Sequence, residues 1–135
     1  MECNKLRGEL LVADKVTFDK EKKCFTAHHI LNVVTVPLFP SAIITNLLVK
    51  LYVPSADSVH ELDIEVKDGA DELVFYESVG EVKNVRTNLQ YGMLPGIDTS
   101  VICRFPVTSQ GTYTFKLYVD KQLLSTYPLY IQAIV

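Results

Sequence analysis

Apolar and polar residues alternate with a period of two along most of this chain, and that period predicts strands. Residues 59–67 carry it most cleanly: Leu62, Ile64 and Val66 point one way, Glu61, Asp63, Glu65 and Lys67 the other. A strand with one wet face belongs to an antiparallel sheet. Residues 9–18 alternate too, with Leu10, Val12, Val16 and Phe18 on the apolar side and Asp14 interrupting it. The charged run Asp19–Lys23 then reads as a hairpin tip, and residues 24–36 resume as strand, with a bulge expected at Asn32–Val33.

The chain is organised around residues 31–53, LNVVTVPLFPSAIITNLLVKLYV, its longest apolar run. Pro37 and Pro40 cannot donate to a ladder, so they mark a corner between two buried strands. Beyond that corner residues 41–52 are ambiguous. Ile43, Ile44, Leu47, Leu48 and Leu51 make a helical stripe, whereas Ile43, Thr45, Leu47, Val49, Leu51 and Val53 alternate as a strand. The strand is preferred, because LVKLYV is rich in β-formers and Pro54 holds the preceding residue extended.

Asp68-Gly69-Ala70 predicts a tight turn, followed by a short strand over 73–79 and another over 81–86. Residues 87–99, TNLQYGMLPGIDT, show no periodicity and predict a long loop. Strand character returns over 100–107, and residues 111–132 predict a hairpin turning at Asp120-Lys121. Seven to nine short strands with one-sided patterning need a second sheet to cover them. The expected fold is therefore all-β, an antiparallel β-sandwich, as a single domain over residues 1–135.

Composition narrows the function. Net charge is −3, which disfavours nucleic acid, since a duplex binder needs a cationic face. The apolar run is broken by Pro37, Pro40, Asn46 and Lys50, so no membrane span is expected. The N-terminal stretch lacks an apolar segment of signal-peptide length, so a cytoplasmic location is expected. Cys3, Cys24 and Cys103 are odd in number and widely spaced, which predicts reduced thiols and neither a disulfide framework nor a zinc site.

Two stretches carry a resemblance. GTYTFKLYVDKQLLSTYPLYIQ, residues 111–132, resembles the last hairpin of immunoglobulin-like and fibronectin-like sandwiches. There, a Gly-x-Tyr opens the penultimate strand and the tyrosine bonds the backbone at the sheet corner; Tyr113 stands at that position. Gln110 replaces the usual acidic residue, and the chain has no Trp, so the likeness is to the immunoglobulin-like architecture and not to antibody domains. LLVAD, DKEKK, ILNVVTVPLFP and LLVKLYV, within residues 10–53, resemble an uncharacterised bacterial family of single-domain β-sandwiches. That resemblance implies a fold and no activity.

Catalytic motifs are absent: there is no GxSxG elbow, no phosphate-cradling glycine loop and no HExxH. His28 and His29 are adjacent, and neighbours on a strand face opposite ways, so they do not make a metal site. Between Asp57 and Glu81 nine carboxylates face one lysine, Lys67. That segment is either a solvated face or a site for a basic partner; Asp68, Asp71 and Glu72 are its weak calcium alternative. Tyr76, Tyr91, Tyr118, Tyr127 and Tyr130 are candidate platform residues for a ligand, as against cross-strand packing. No cofactor is implied.

The expected function is non-catalytic binding of a protein partner, through a sheet edge or the 87–99 loop at Tyr91, Met93 and Leu94, with a homodimer as one outcome. The alternative is a small-ligand or carbohydrate module. An enzyme would require His28 or His60 in a cleft beside a carboxylate.

Overall fold

The computed structural model describes residues 6–83 and 94–134. Nine strands run in chain order: β1 (Arg7–Asp19), β2 (Cys24–Ile30), β3 (Val33–Val36), β4 (Ser41–Tyr52), β5 (Val59–Lys67), β6 (Leu73–Lys83), β7 (Gly96–Val107), β8 (Gly111–Val119) and β9 (Gln122–Ala133). They form two sheets, ordered β2-β1-β4-β7 and β3-β9-β8-β5-β6. The chain is an all-β sandwich, and its described residues include no helix.

β4 is the strand, not the helix, of the two patterns open to residues 41–52. Ile43, Thr45, Leu47, Val49 and Leu51 all turn to the core, while Ile44 and Lys50 stay exposed. β4 lies between β1 and β7; β8 lies between β5 and β9. Leu47, Leu51, Leu62, Ile64, Leu117, Leu129 and Ile131 are sealed between the sheets. Each contributes roughly 2 kcal/mol of apolar burial. Phe105 packs its ring among Phe75, Tyr113 and Phe115, with centroids 6.5, 6.1 and 5.7 Å away.

The sandwich departs from the sequence pattern in five places. Residues 24–36 are two strands in different sheets. The chain crosses over at Leu31–Asn32, where Leu31 N–H donates to Val12 and Asn32 accepts from Tyr130 N–H. β3 then runs parallel to β9, so the sandwich is mixed and not wholly antiparallel. The apolar residues crowding both faces after Leu31 reflect that change of sheet. The Phe39–Pro40 peptide beyond β3 is cis.

The inward side of β1 ends at Val12–Ala13. Past that point β1 has only β2 as a neighbour, so Val16 is half-buried and Phe18 is 50% exposed, its ring packed at a tilt against Phe25. Residues 73–83 form one strand, with a bulge where Leu62 pairs with Gly80 and Asp63 with Ser78. Gly80 takes a positive φ of 91° there, a conformation that suits glycine. β7 begins at Gly96, inside the expected 87–99 loop, because Ile97 is buried and pairs with Leu51. Asp63, finally, lies on the outer face but is only 3% exposed.

Candidate functional site: an acidic, tyrosine-walled cleft

On the outer face of the five-stranded sheet, Asp63 and Glu65 of β5, Tyr76 of β6, Tyr118 of β8 and Lys121 of the β8–β9 turn line a cleft of about 230 Å³. The period of two on β5 throws both carboxylates outward while Leu62, Ile64 and Val66 fill the core. Antiparallel register sets Tyr76 opposite Glu65 and Tyr118 opposite Asp63. The walls are therefore a product of pairing, not of sequence proximity.

The Asp120–Lys121 turn closes one end. Both residues hold positive φ, 52° and 67°, the combination that a two-residue hairpin loop needs to match strand twist. That turn is clamped onto β5: Asp120 N–H donates to Glu61 O at 2.8 Å and Glu61 N–H to Asp120 Oδ1 at 2.9 Å. Lys121 is thereby carried over the acidic row, its Nζ 3.3 Å from Glu61 Oε1 and 3.6 Å from Asp63 Oδ2.

Tyr76 donates its hydroxyl to Asp63 Oδ1 at 2.8 Å. That bond, then burial and the Asp63 charge, hold the Tyr76 hydroxyl above its ordinary pKa, against Lys121. Burial, then the charge and hydrogen bond of Glu65, raise Tyr118 likewise. The hydrogen bond to Glu61, then the Asp63 charge, keep Lys121 more firmly protonated. The two phenols are therefore neutral at neutral pH, and Lys121 is an ammonium. Among the described residues, Glu65 Oε1 is shut off from solvent with no hydrogen-bond partner.

A second cleft, about 280 Å³, lies between the tip of the β1–β2 hairpin and the outer face of the other sheet, lined by Lys23, Cys24, Phe25, Leu48, Lys50 and Asp98. There Lys50 Nζ meets Asp98 Oδ1 at 3.2 Å. Its only carboxylate is thus paired, whereas Glu65 of the first cleft keeps an unmet acceptor.

Of the tyrosines singled out in the sequence, Tyr76 and Tyr118 meet in the first cleft. Tyr127 instead donates its hydroxyl to the Leu31 carbonyl, bracing the crossover, and Tyr130 faces solvent on β9. Tyr91 and Met93 lie outside the described residues; Leu94 is half-buried just ahead of β7. Asp68, Asp71 and Glu72 fall in the β5–β6 turn. Asp68 Oδ1 accepts from Ala70 N–H and Glu72 N–H, both at 2.9 Å, and Asp71 Oδ1 stands 3.9 Å from Lys67 Nζ. Two of those carboxylates thus already serve the turn and its neighbouring lysine.

His28 and His29 part as the strand period requires, His28 to Thr17 at 3.2 Å and His29 to Asp14 at 3.5 Å. Among the described residues no group of three or more His, Cys, Asp or Glu is placed to hold a metal. His60 is a different matter. Its Nδ1 donates to Asp120 Oδ2 at 2.7 Å, and its Nε2 lies 2.8 Å from Ser58 Oγ. The order Ser58–His60–Asp120 is that of a hydrolytic triad. Yet the lone hydroxyl proton of Ser58 has a nearer acceptor in the Ser55 carbonyl, at 2.6 Å, and neither His60 nor Ser58 lines either cleft. The network anchors the same turn that carries Lys121.

Sequence reasoning missed Lys121 and the burial of Asp63. A signal existed for the first: a lysine in the turn that returns the chain beside β5. The second had none, since it depends on Tyr76 of another strand.

No family model matches the chain, and no curated protein matches it either. Among solved structures it is similar in fold to the Pseudomonas fluorescens alkylpurine DNA glycosylase AlkC, bound to DNA containing an abasic site analogue, with a TM-score of 0.46 and 9% identity. That match takes in 95% of this chain but 30% of the glycosylase, so the chain spans under a third of that protein's length. It is also similar to the CARDB domain of a Pyrococcus furiosus protein, in complex with di-metal ions, with a TM-score of 0.45, 12% identity, and coverage of 95% of this chain and 96% of that one. Likenesses of this degree carry no argument about activity or ligand. Among the described residues no helix is long and apolar enough to cross a membrane.

Proposed function

We propose that this β-sandwich is a non-catalytic binding domain that docks a protein partner on the outer face of its five-stranded sheet. The observation that supports this reading is the cleft itself, where carboxylates, phenols and an ammonium converge, with Glu65 Oε1 enclosed beside it and meeting no donor among the described residues. Buried polar groups ordinarily find partners, so an enclosed acceptor left unmet beside the cleft leaves room for a donor supplied from outside. The immunoglobulin-like reading of the fold accords with two features, the strand order of the sheets and the buried Tyr113, whose hydroxyl donates to Ser109 O at 2.8 Å.

The alternative surfaces are the sheet edges and the 87–99 loop. The bulge at Gly80 interrupts the β6 edge, which hinders strand addition there. The non-catalytic reading is supported by Ser58 being held by the Ser55 carbonyl away from either cleft.

The test is affinity capture from source cells with the wild-type chain, a Glu65→Ala/Tyr118→Ala variant and a Tyr91→Ala/Met93→Ala variant. Partners retained by wild type and lost only with the first variant support the cleft. A partner set unchanged by it overturns this reading, and loss with the second variant moves the contact to the loop. Sedimentation velocity of the chain alone decides whether the partner is a second copy.

A further inference from the structure

We infer that the cleft is a receptor for one cationic side chain of the partner, a lysine ammonium or an arginine guanidinium. This inference rests on the docking role just proposed and adds the chemistry of what is docked.

Charge makes the first part of the case. Asp63 and Glu65 line the cleft against Lys121 alone, with the two tyrosines neutral, and Glu61 stands just beside them. Asp63 is already 3% exposed. A ligand that covers it and Glu65 removes the remaining water from both carboxylates, and burying charge is costly unless a counter-charge arrives with the ligand. A neutral sugar brings hydroxyls and no counter-charge. A cation brings both a donor and the compensation.

Size makes the second part. At about 230 Å³ the cleft falls below the roughly 300–1,000 Å³ of drug-sized ligand sites. It suits one long side chain. Tyr76 and Tyr118 provide aromatic walls, surfaces that cations favour.

The third part is that the chain already shows the interaction in cis. Lys121 holds its ammonium 3.6 Å from Asp63 Oδ2 and 3.3 Å from Glu61 Oε1, yet its side chain is 70% exposed. It is a loosely held occupant that an incoming cation displaces or joins. Joining is open because Glu65 Oε1 is unmet, and the last torsion of a glutamate is soft enough to turn that oxygen into the cleft.

The experiment is a ¹⁵N–¹H titration of the full chain with N-acetyl-lysine methylamide and N-acetyl-arginine methylamide. The neutral norleucine and citrulline analogues and methyl glucoside serve as controls. The cationic probes are expected to shift amides of β5, β6 and the 118–122 turn saturably, with a Kd on the order of millimolar for one charge-assisted hydrogen bond together with contact to the aromatic walls. Raising salt weakens that binding. Glu65→Gln weakens it roughly tenfold, the share of one charge-assisted hydrogen bond. Lys121→Ala, in an exposed turn that tolerates truncation, strengthens it by removing the internal competitor. Dispersed spectra establish that each variant is folded.

Neutral and cationic probes binding the cleft equally would overturn the inference while leaving the docking surface in place. Absence of any shift in the cleft, with capture still dependent on Glu65 and Tyr118, would do the same. Cleft shifts confined to the cationic probes, with capture dependent on Glu65 and Tyr118, support it; the same shifts with the partner captured elsewhere would overturn the docking role on which it rests.

Discussion

The Tyr76 hydroxyl reaches diagonally across the β5–β6 pair to Asp63, 2.8 Å from Oδ1. The residue directly opposite Tyr76 is Glu65, so the bond skips one position along the strand. It covers a carboxylate that the strand period alone would leave in water, and it fixes one wall of the cleft.

Tyr76→Phe keeps the ring and removes the donor. Asp63, 3% exposed, then keeps only the ammonium of Lys121 among these contacts. The expected loss is about 1 kcal/mol of stability, read as a lower urea midpoint with unchanged m-value. An unchanged midpoint would mean that water replaces the phenol without cost.

Tyr113 is sealed in the core, and its hydroxyl closes a short loop to the Ser109 carbonyl. Tyr113→Phe preserves the packing against Phe105, so it isolates the hydrogen bond. The expected cost is about 1 kcal/mol. Leu47→Ala, by contrast, opens a cavity under a fully buried side chain and is expected to cost about 2–5 kcal/mol. Similar losses for the two would contradict the packing described above.

Acid should loosen the Asp120 clamp. The backbone N–H of Glu61, then the His60 hydrogen bond and charge, hold the Asp120 carboxyl below its ordinary value. A carboxyl with a lowered folded pKa stabilises the fold above its unfolded value, near 4, and that stability drains away as pH falls through the folded value. The carboxylate is 48% exposed, so screening keeps the contribution to about 1 kcal/mol. Asp120→Asn should flatten this part of the stability–pH curve below about pH 4. Parallel curves for variant and wild type would refute the clamp.

The two described thiols should differ sharply. Burial, aided by the charge of Glu77, pushes Cys103 up to about 12, while Cys24 is exposed. The thiolate is the reactive form. In a Cys3→Ser background, a chromogenic disulfide reagent at pH 8 should titrate one thiol in the folded chain and the second only on unfolding. Rapid reaction of both would show that the β7 edge opens.

Much of the fold was legible in the residues. The alternation that assigned β5 and β8 is a local property: a strand shows each side chain to one face or the other whatever its neighbours are. Alternation left residues 41–52 open between strand and helix; the β-formers of LVKLYV and Pro54 favoured the strand, and the burial of Thr45 and Val49 beside Leu47 agrees with it. Alternation failed where the partner strand changes. Residues 24–36 read as one strand because nothing local marks the passage from β1 to β9 at Leu31–Asn32. It also failed at Gly96, whose lack of a side chain breaks the apparent period just where β7 begins.

By itself, then, the sequence determined a layered all-β chain with Leu62, Ile64 and Val66 inside and an acidic row outside. Tertiary structure alone decided which strands lie side by side, and with them the cleft. Tyr76 converges on Asp63 and Glu65 from the next strand, and Tyr118 and Lys121 from a hairpin far along the chain, through lateral hydrogen bonding between strands. Asp120 holds His60 across a separation of 60 residues. Side-chain period is written one residue at a time, whereas strand order is a global choice of which greasy faces close on which.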